Sequence, residues 1–285
     1  QLLQVNIPPG QHSTLDNGES GRAMPVSLQA STANPAVAVP VTPSSFANPK
    51  AWESHGLSVV GLRRKLNEDA ILLNNEGGLW AVADGMGGHS AGDVASQALV
   101  DALAAIPPID DLEHLSEQVA SLLHNVNRQL VQMASGRGYG HIIGSTIVVL
   151  LVRGREFRYL WAGDSRLYRY RQGKLEQLTL DHSLYNESIS QGGIPVDGSL
   201  DQGRGNVITR AVGADNQLQL DFGQGIFEKG DLFLLCSDGI DKELSHADIA
   251  GLCDGGSVKE IAERLVQAAE SRGGRDNISA IVVRT

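Results

Sequence analysis

Asp84, Asp164 and Asp238 each lie at or beside the end of an apolar run, in LWAVADG, YLWAGDS and LFLLCSDG. Asp276 holds the mirrored place, just before the closing run in DNISAIVV, and Asp69, in NEDA, also precedes a strand-like segment. Strand ends are fixed points of a rigid scaffold, so carboxylates placed on several of them can gather at one edge of a sheet. Such a cluster repels itself unless protons or cations neutralise it. An oxygen-only donor set without His or Cys suits hard ions such as Mg²⁺ or Mn²⁺. Two such ions about 3.5–4 Å apart can activate a water and polarise a phosphoryl oxygen together. An Asp-Gly pair after a strand is also an ordinary turn signal, and spacing alone does not make these strand ends neighbours in space.

Two further features flank the acids. The glycines of DGMGG permit left-handed backbone and close main-chain approach, and an exposed carbonyl such as that of Gly85 is a possible ion ligand. The GK[ST] ending of a nucleotide-triphosphate loop is missing. Arg63, Arg64 and Lys65 stand just ahead of Glu68 and Asp69. A cation beside a carboxylate cluster can bind a substrate phosphate, and Arg does so bidentately; the plain alternative is a solvated basic turn.

The elements that must position these groups begin near residue 53. Seven of the ten prolines precede it, in a Ser, Ala, Asn and Gly background without apolar period, so residues 1–52 are expected to be a disordered tail or linker. Strands are expected at 57–62, 70–73, 79–83, 146–152, 157–161, 167–171, 232–236 and 278–283, and helices at 91–104, 111–133 and 257–272. Residues 181–205 form a long polar loop, which inside a compact domain points to function. The pattern is α+β, with helices layered on sheets.

The bulk numbers exclude several classes. A net charge of −10 argues against a nucleic-acid partner, which needs clustered Lys and Arg. No apolar stretch is long enough for a membrane helix, and no signal peptide is visible. Cys236 and Cys253 form no CxxC pair; a reducing, cytoplasmic setting fits them.

In order along the chain, GLRRKLNEDA, AVADGMGGHSAGDVAS, GSTIVVL, WAGDSRLYRY, LTLDHS, NVITRAVG, LLCSDGI and GGRDNISAIVV resemble the metal-dependent Ser/Thr protein phosphatases of the type 2C (PPM) family. The DGMGGH form is similar to the bacterial branch, and the resemblance covers residues 57–285. It implies a four-layer αββα sandwich, two antiparallel β-sheets flanked by helices, with the metal centre at one end. It implies that Asp84 bridges two core Mn²⁺ or Mg²⁺ ions, that Gly85 adds its carbonyl, and that Asp238 and Asp276 complete the first ion's ligands. Glu68 would act on the second ion through water, and Asp69 would be a ligand or a neighbour of one. Asp164 would help Asp238 hold a third, weaker ion. Arg64 matches the phosphate-binding arginine, Arg63 being one residue out of register, and Asn277 would orient the site. The implied reaction is in-line attack on phosphoserine or phosphothreonine by a hydroxide bridging the ions, reversing a cognate Ser/Thr kinase, in a monomeric domain spanning 53–285. Where eukaryotic members carry a histidine after the Asp-Gly, this chain has Met86; His89 could substitute as the acid, His182 is another candidate, and a metal-bound water could serve instead. The competing reading is a PPM-fold regulatory protein without catalysis, against which the intact acid set stands.

Overall fold

The computed structural model describes residues 52–86, 91–136, 141–190 and 207–284. Among them the chain runs β1 (Glu53–Val59), β2 (Asp69–Asn74), β3 (Leu79–Met86), α1 (Gly92–Ala104), α2 (Leu112–Ser135), β4 (Gly144–Ser145), β5 (Ile147–Arg153), β6 (Glu156–Ala162) and β7 (Arg166–Arg171). It continues through β8 (Lys174–Gln177), α3 (Leu184–Ser190), β9 (Asp221–Ile226), β10 (Leu232–Cys236), α4 (Asp238–Asp241), α5 (His246–Cys253), α6 (Val258–Ser271) and β11 (Ile278–Arg284).

The central strands are apolar on both faces because both faces are covered. In β3, Leu79, Ala81 and Ala83 pack with α1 and α2, while Trp80 and Val82 turn to the opposite side. β5 alternates in the same way. On the other sheet, Leu234 and Cys236 of β10 and Ala280 and Val282 of β11 pack under α5 and α6. Phe233, Leu235, Ile281 and Val283 meet Trp80, Val82, Val148 and Leu150 in a core between the sheets. The result is four layers, helix, sheet, sheet, helix, as expected. One sheet has the order β1-β11-β10-β7-β8; the other is β2-β3-β5-β6-β9 with β4 added beside β3, and every pairing is antiparallel.

Local signals fix the helix ends. The Asp111 carboxylate caps α2 by accepting from the His114 N–H at 2.7 Å. Capping boxes, Ser245 with Asp248 and Ser257 with Glu260, start α5 and α6. Among the described residues no helix is long and apolar enough to cross a membrane.

The expected strand at 57–62 lies earlier, as β1, and the expected loop at 181–205 contains α3; its residues 191–205 fall outside those described. Trp52, the last residue of the expected tail, packs edge-on against Phe227 and Trp80, with ring centroids 4.6 and 5.9 Å apart.

Register then decides where the acids fall. Asp69 pairs with Asp84 across β2 and β3. Ile147 pairs with Ala162, so β6 ends where β5 begins. Cys236 pairs with both Ala280 and Arg166, which sets the end of β10 beside the starts of β11 and β7. Between β6 and β7 the chain passes from one sheet to the other through Gly163, Asp164 and Ser165. All five aspartates therefore belong to the same end of the sandwich.

Candidate metal centre

The main chain of Asp84 is pinned on both sides. Its N–H donates to Thr146 Oγ1 at 3.1 Å, and its carbonyl accepts from the Thr146 N–H at 2.9 Å and from Ser145 Oγ at 3.0 Å. Thr146 Oγ1 also shares a 2.7 Å hydrogen bond with Ser165 Oγ, beside Asp164. Asp69 Oδ2 accepts from Ser237 Oγ at 2.8 Å and from Ser279 Oγ at 2.6 Å. Its Oδ1 is buried without a hydrogen-bond partner, and so are one oxygen each of Asp164, Asp238 and Asp241.

Asn277 ties the Arg64–Glu68 turn to the start of β11. Its side-chain amide donates to the carbonyls of Val60 and Leu66 at 2.9 and 2.8 Å, and its oxygen accepts from the Glu68 N–H at 2.9 Å. Gly85 N–H donates to the Glu68 carbonyl at 3.0 Å. A Cβ on Gly85 would stand 2.3 Å from the Gly92 carbonyl oxygen and 2.5 Å from that of Glu68. A Cβ on Gly239 would stand 2.0 Å from the Asn277 carbonyl oxygen. Neither glycine has left-handed φ. In both Asp-Gly pairs the glycine serves close main-chain approach, and the plain turn reading falls.

Two cations of the chain lie on the carboxylates. Arg64 Nη2 contacts both Asp276 oxygens, at 2.8 and 2.9 Å. Lys242 Nζ donates to Asp238 Oδ2 and stands 3.8 Å from Asp276 Oδ2. Arg166 donates to both oxygens of Asp181, at 2.9 and 2.6 Å, and reaches Asp241 at 3.1 Å. It thereby joins the root of the long loop to α4.

Burial pushes the Asp84 carboxyl well above its ordinary range, and Asp69, Asp238, Asp164 and Asp276 push it in the same direction. Asp164 rises to about 7, through burial and then Asp238. Asp69 rises to about 6 through burial, against its two serine hydrogen bonds. Asp241 rises to about 8, through burial against the pull of Arg166. Asp69, Asp84, Asp164 and Asp238 thus share a region in which burial and neighbouring carboxylates oppose their charge, an opposition that protons or cations relieve. Yet among the described residues no three His, Cys, Asp or Glu side chains converge at ion-binding distance. Asp238 and Asp276 are turned instead onto Lys242 and Arg64. The donor set fits divalent hard ions: it is all oxygen, and it leaves buried carboxylate oxygens without partners.

Residues 63–282 match the family model described as Protein phosphatase 2C. The chain belongs to the protein phosphatase 2C family. Protein phosphatase PhpP of Streptococcus pneumoniae is 33% identical over 234 residues, which span 80% of this chain and 95% of PhpP. The solved structure of PppA, described as a key regulatory component of T6SS in Pseudomonas aeruginosa, is 42% identical, with a TM-score of 0.75 over 82% of this chain and 97% of that one. A catalytic domain of the serine/threonine phosphatase PstP, solved in complex with two manganese ions, is 30% identical, with a TM-score of 0.71 over 82% and 97%. The chain is therefore a protein-serine/threonine phosphatase of the bacterial 2C type, an α+β sandwich in a metal-dependent family.

Within this 2C phosphatase, the fold brings Glu68, Asp69, Asp84, Gly85, Asp164, Asp238 and Asp276 to one end, with Arg64 on Asp276. His89 lies outside the described residues. Met86 pairs with Gly144 in the β3–β4 ladder and has no proton to give. His182 is buried and stacked on Trp161 at 5.8 Å. Its Nδ1 accepts from the Gly163 N–H at 3.1 Å and its Nε2 faces Asp221 Oδ2 at 3.2 Å. Both ring nitrogens are committed, so His182 braces the turn before Asp164 rather than facing substrate. The sequence reading missed Thr146, Ser165, Ser237, Ser279 and Lys242. Their one signal was adjacency to the motifs: Ser237 precedes Asp238 and Thr146 lies in GSTIVVL.

The shifted carboxyls set a pH expectation for protein kept in EDTA. Their folded-state pKa values lie above the ordinary 3.8, so the folded state holds more protons than the unfolded one between about pH 4 and 8. Stability therefore falls as pH rises through that window. The buried His182 acts oppositely, since its pKa is lowered, but it is one group against several. Thermal melts in EDTA should drop by several degrees from pH 5 to pH 8, and saturating Mn²⁺ at pH 8 should restore the loss.

Proposed function

We propose that this phosphatase hydrolyses phosphoserine and phosphothreonine in proteins directly, with Asp84, Asp238, Asp276 and the Gly85 carbonyl holding two core Mn²⁺ or Mg²⁺ ions. The observation that carries the reading is that Asp84 sits, with its main chain locked, among four other carboxyls that oppose its ionisation. Divalent ions, when bound, supply the charge neutralisation and the activated hydroxide for in-line attack on phosphorus. Glu68 stands next to this set through the Glu68–Gly85 backbone hydrogen bond, and its carboxylate would help hold the second ion. Asp69, held by Ser237 and Ser279, fixes the local charge beside Asp84.

Arg64 binds the phosphate. It is half-exposed and anchored to Asp276 through Nη2, and a guanidinium carries further donors with which it can hold a phosphate bidentately. Hydrolysis without a covalent intermediate is supported by the cysteines. Both are buried, and burial raises Cys236 well above its usual range and Cys253 to about 12, so neither presents a thiolate. His89 is the candidate proton donor to the leaving serine or threonine oxygen. The substrates are phosphoproteins of a cognate Ser/Thr kinase, the setting is cytoplasmic, and the catalytic domain, residues 53–285, acts as a monomer.

Arg64 supplies the test. With a phosphothreonine peptide, Arg64→Ala should raise KM roughly tenfold or more while lowering kcat less, because uniform phosphate binding is lost. Arg63→Ala should stay close to the unmodified enzyme. The reverse pattern would move the phosphate site off Arg64, and no peptide hydrolysis by the unmodified enzyme with Mn²⁺ would refute the reading.

A further inference from the structure

A cleft of about 470 Å³ opens between α3 and the segment that leads into β9. Glu187, Arg210, Ala211, Ala214, Asp215 and Leu218 line it. Two sets of contacts hold it at the metal end of the sandwich. Val212 and Ser145 exchange backbone hydrogen bonds of 2.9 Å in both directions, and Ser145 pairs with Gly85. Two strand spacings, about 10 Å, therefore separate Gly85 from Val212. On the other side, Arg210 Nη1 lies 3.5 Å from His182 Nε2, and His182 Nδ1 accepts from the Gly163 N–H, next to Asp164. The wall is fixed from below by the buried Asn127 of α2. Its side chain accepts from the Gly213 N–H at 2.6 Å and donates to the Asp215 carbonyl at 2.9 Å.

The charges of the lining select one kind of guest. Arg210 is already matched by acids: it meets Asp221 Oδ1 at 3.0 Å and Glu187 Oε1 at 3.4 Å. Glu187 Oε1 also accepts from Thr209 Oγ1 at 2.8 Å. Asp215 is different. It is exposed, its Oδ1 accepts from the Gln217 N–H at 3.1 Å, and among the described residues no cation pairs with it. Ala211, Ala214 and Leu218 supply apolar lining in the same cleft. Apolar lining combined with an unmatched carboxylate suits a long aliphatic stem that ends in positive charge. An anion would meet a guanidinium that two carboxylates already neutralise.

We propose that this cleft is a specificity subsite for a lysine or arginine side chain of the phosphorylated protein, with Asp215 as its charge partner. An extended chain advances about 3.3 Å per residue, so the basic residue stands about three to five positions from the phosphorylated one. The inference rests on the phosphoprotein reading above and adds to it which phosphoproteins are preferred.

Peptide kinetics with the Mn²⁺-loaded full chain test it. The parent peptide carries phosphothreonine in an alanine background, and a single lysine is moved through the flanking positions on each side. Lysine at one position, about three to five residues away, should raise kcat/KM about threefold or more, chiefly through KM, and high salt should shrink the gain. Asp215→Asn keeps the acceptor for the Gln217 N–H and drops the charge. It should melt with the unmodified protein, and its ratio of kcat/KM between the lysine and parent peptides should fall to about one. Asp215→Lys should reverse the preference, so that glutamate at the same position outperforms lysine. A lysine gain at no position, a gain that survives Asp215→Asn, or a preference of the unmodified chain for glutamate overturns the inference and leaves phosphoprotein hydrolysis standing. Failure to hydrolyse any phosphothreonine peptide of the set overturns that underlying reading itself.

Discussion

Asp84→Asn should lower kcat/KM for a phosphothreonine peptide by on the order of 10³-fold or more, the scale on which single preorganised electrostatic groups matter in active sites. It should also raise the melting temperature of the protein in EDTA. Both effects come from one cause. The Asp84 carboxylate is opposed from several sides: burial, Asp69, Asp238, Asp164 and Asp276 all act against its charge. An amide keeps the size and removes the repulsion, so the metal-stripped fold relaxes while ion binding is lost. Residues kept for function at the expense of stability behave in this way. The Thr146 and Ser145 hydrogen bonds are to the Asp84 main chain, so the substitution leaves them intact. Activity lost together with a lower melting temperature would mean that Asp84 is a structural residue.

Gly85→Ala should be the most damaging small substitution. Its Cβ would lie 2.3 and 2.4 Å from the oxygen and carbon of the Gly92 carbonyl and 2.5 Å from the Glu68 carbonyl oxygen. All three are main-chain atoms, so relief requires moving the start of α1 or the turn before β2. Overpacking of this kind costs about 1–3 kcal/mol or more, and it shifts Glu68 and the Gly85 carbonyl together. Misplacement of about 1 Å can cost about 10²-fold in rate, so activity should fall by at least that much even where the protein still folds. Gly251→Ala in α5 is the control: its Cβ would meet nothing within 4 Å, and φ is not left-handed. It should leave activity unchanged and stability equal or slightly higher, by about 0.4–1 kcal/mol. Equal effects at the two glycines would refute the crowding argument.

What the sequence made legible follows from how strands are buried. β3, β5, β10 and β11 are covered on both faces, so they read as unbroken apolar runs, and the ends of β3, β10 and β11 place three of the five acids, Asp84, Asp238 and Asp276. Edge strands are less visible. β9, DFGQGI, carries two glycines because the rings of Tyr159 and Phe157 lie where their Cβ atoms would be, and glycine reads as loop. β8 is four residues long, and α3 hides in a polar stretch without buried residues. At the site, Asp-Gly looked like a turn because a close carbonyl across strands leaves no local trace. Lys242 carried no signal in the sequence, since Asp276, the second carboxylate it approaches, is 34 positions away along the chain. His182 read as a candidate acid because only three dimensions reveal that Gly163, Asp221 and Trp161 already claim its ring.

The central claim is that aspartate-held ions perform the hydrolysis. The most direct measurement is phosphate release from a phosphothreonine peptide by the metal-stripped full chain as Mn²⁺ is added in measured equivalents. The account expects no turnover without metal, a rise that levels off once two ions per chain are bound, and full reversal by EDTA. Full turnover in metal-free buffer would contradict it.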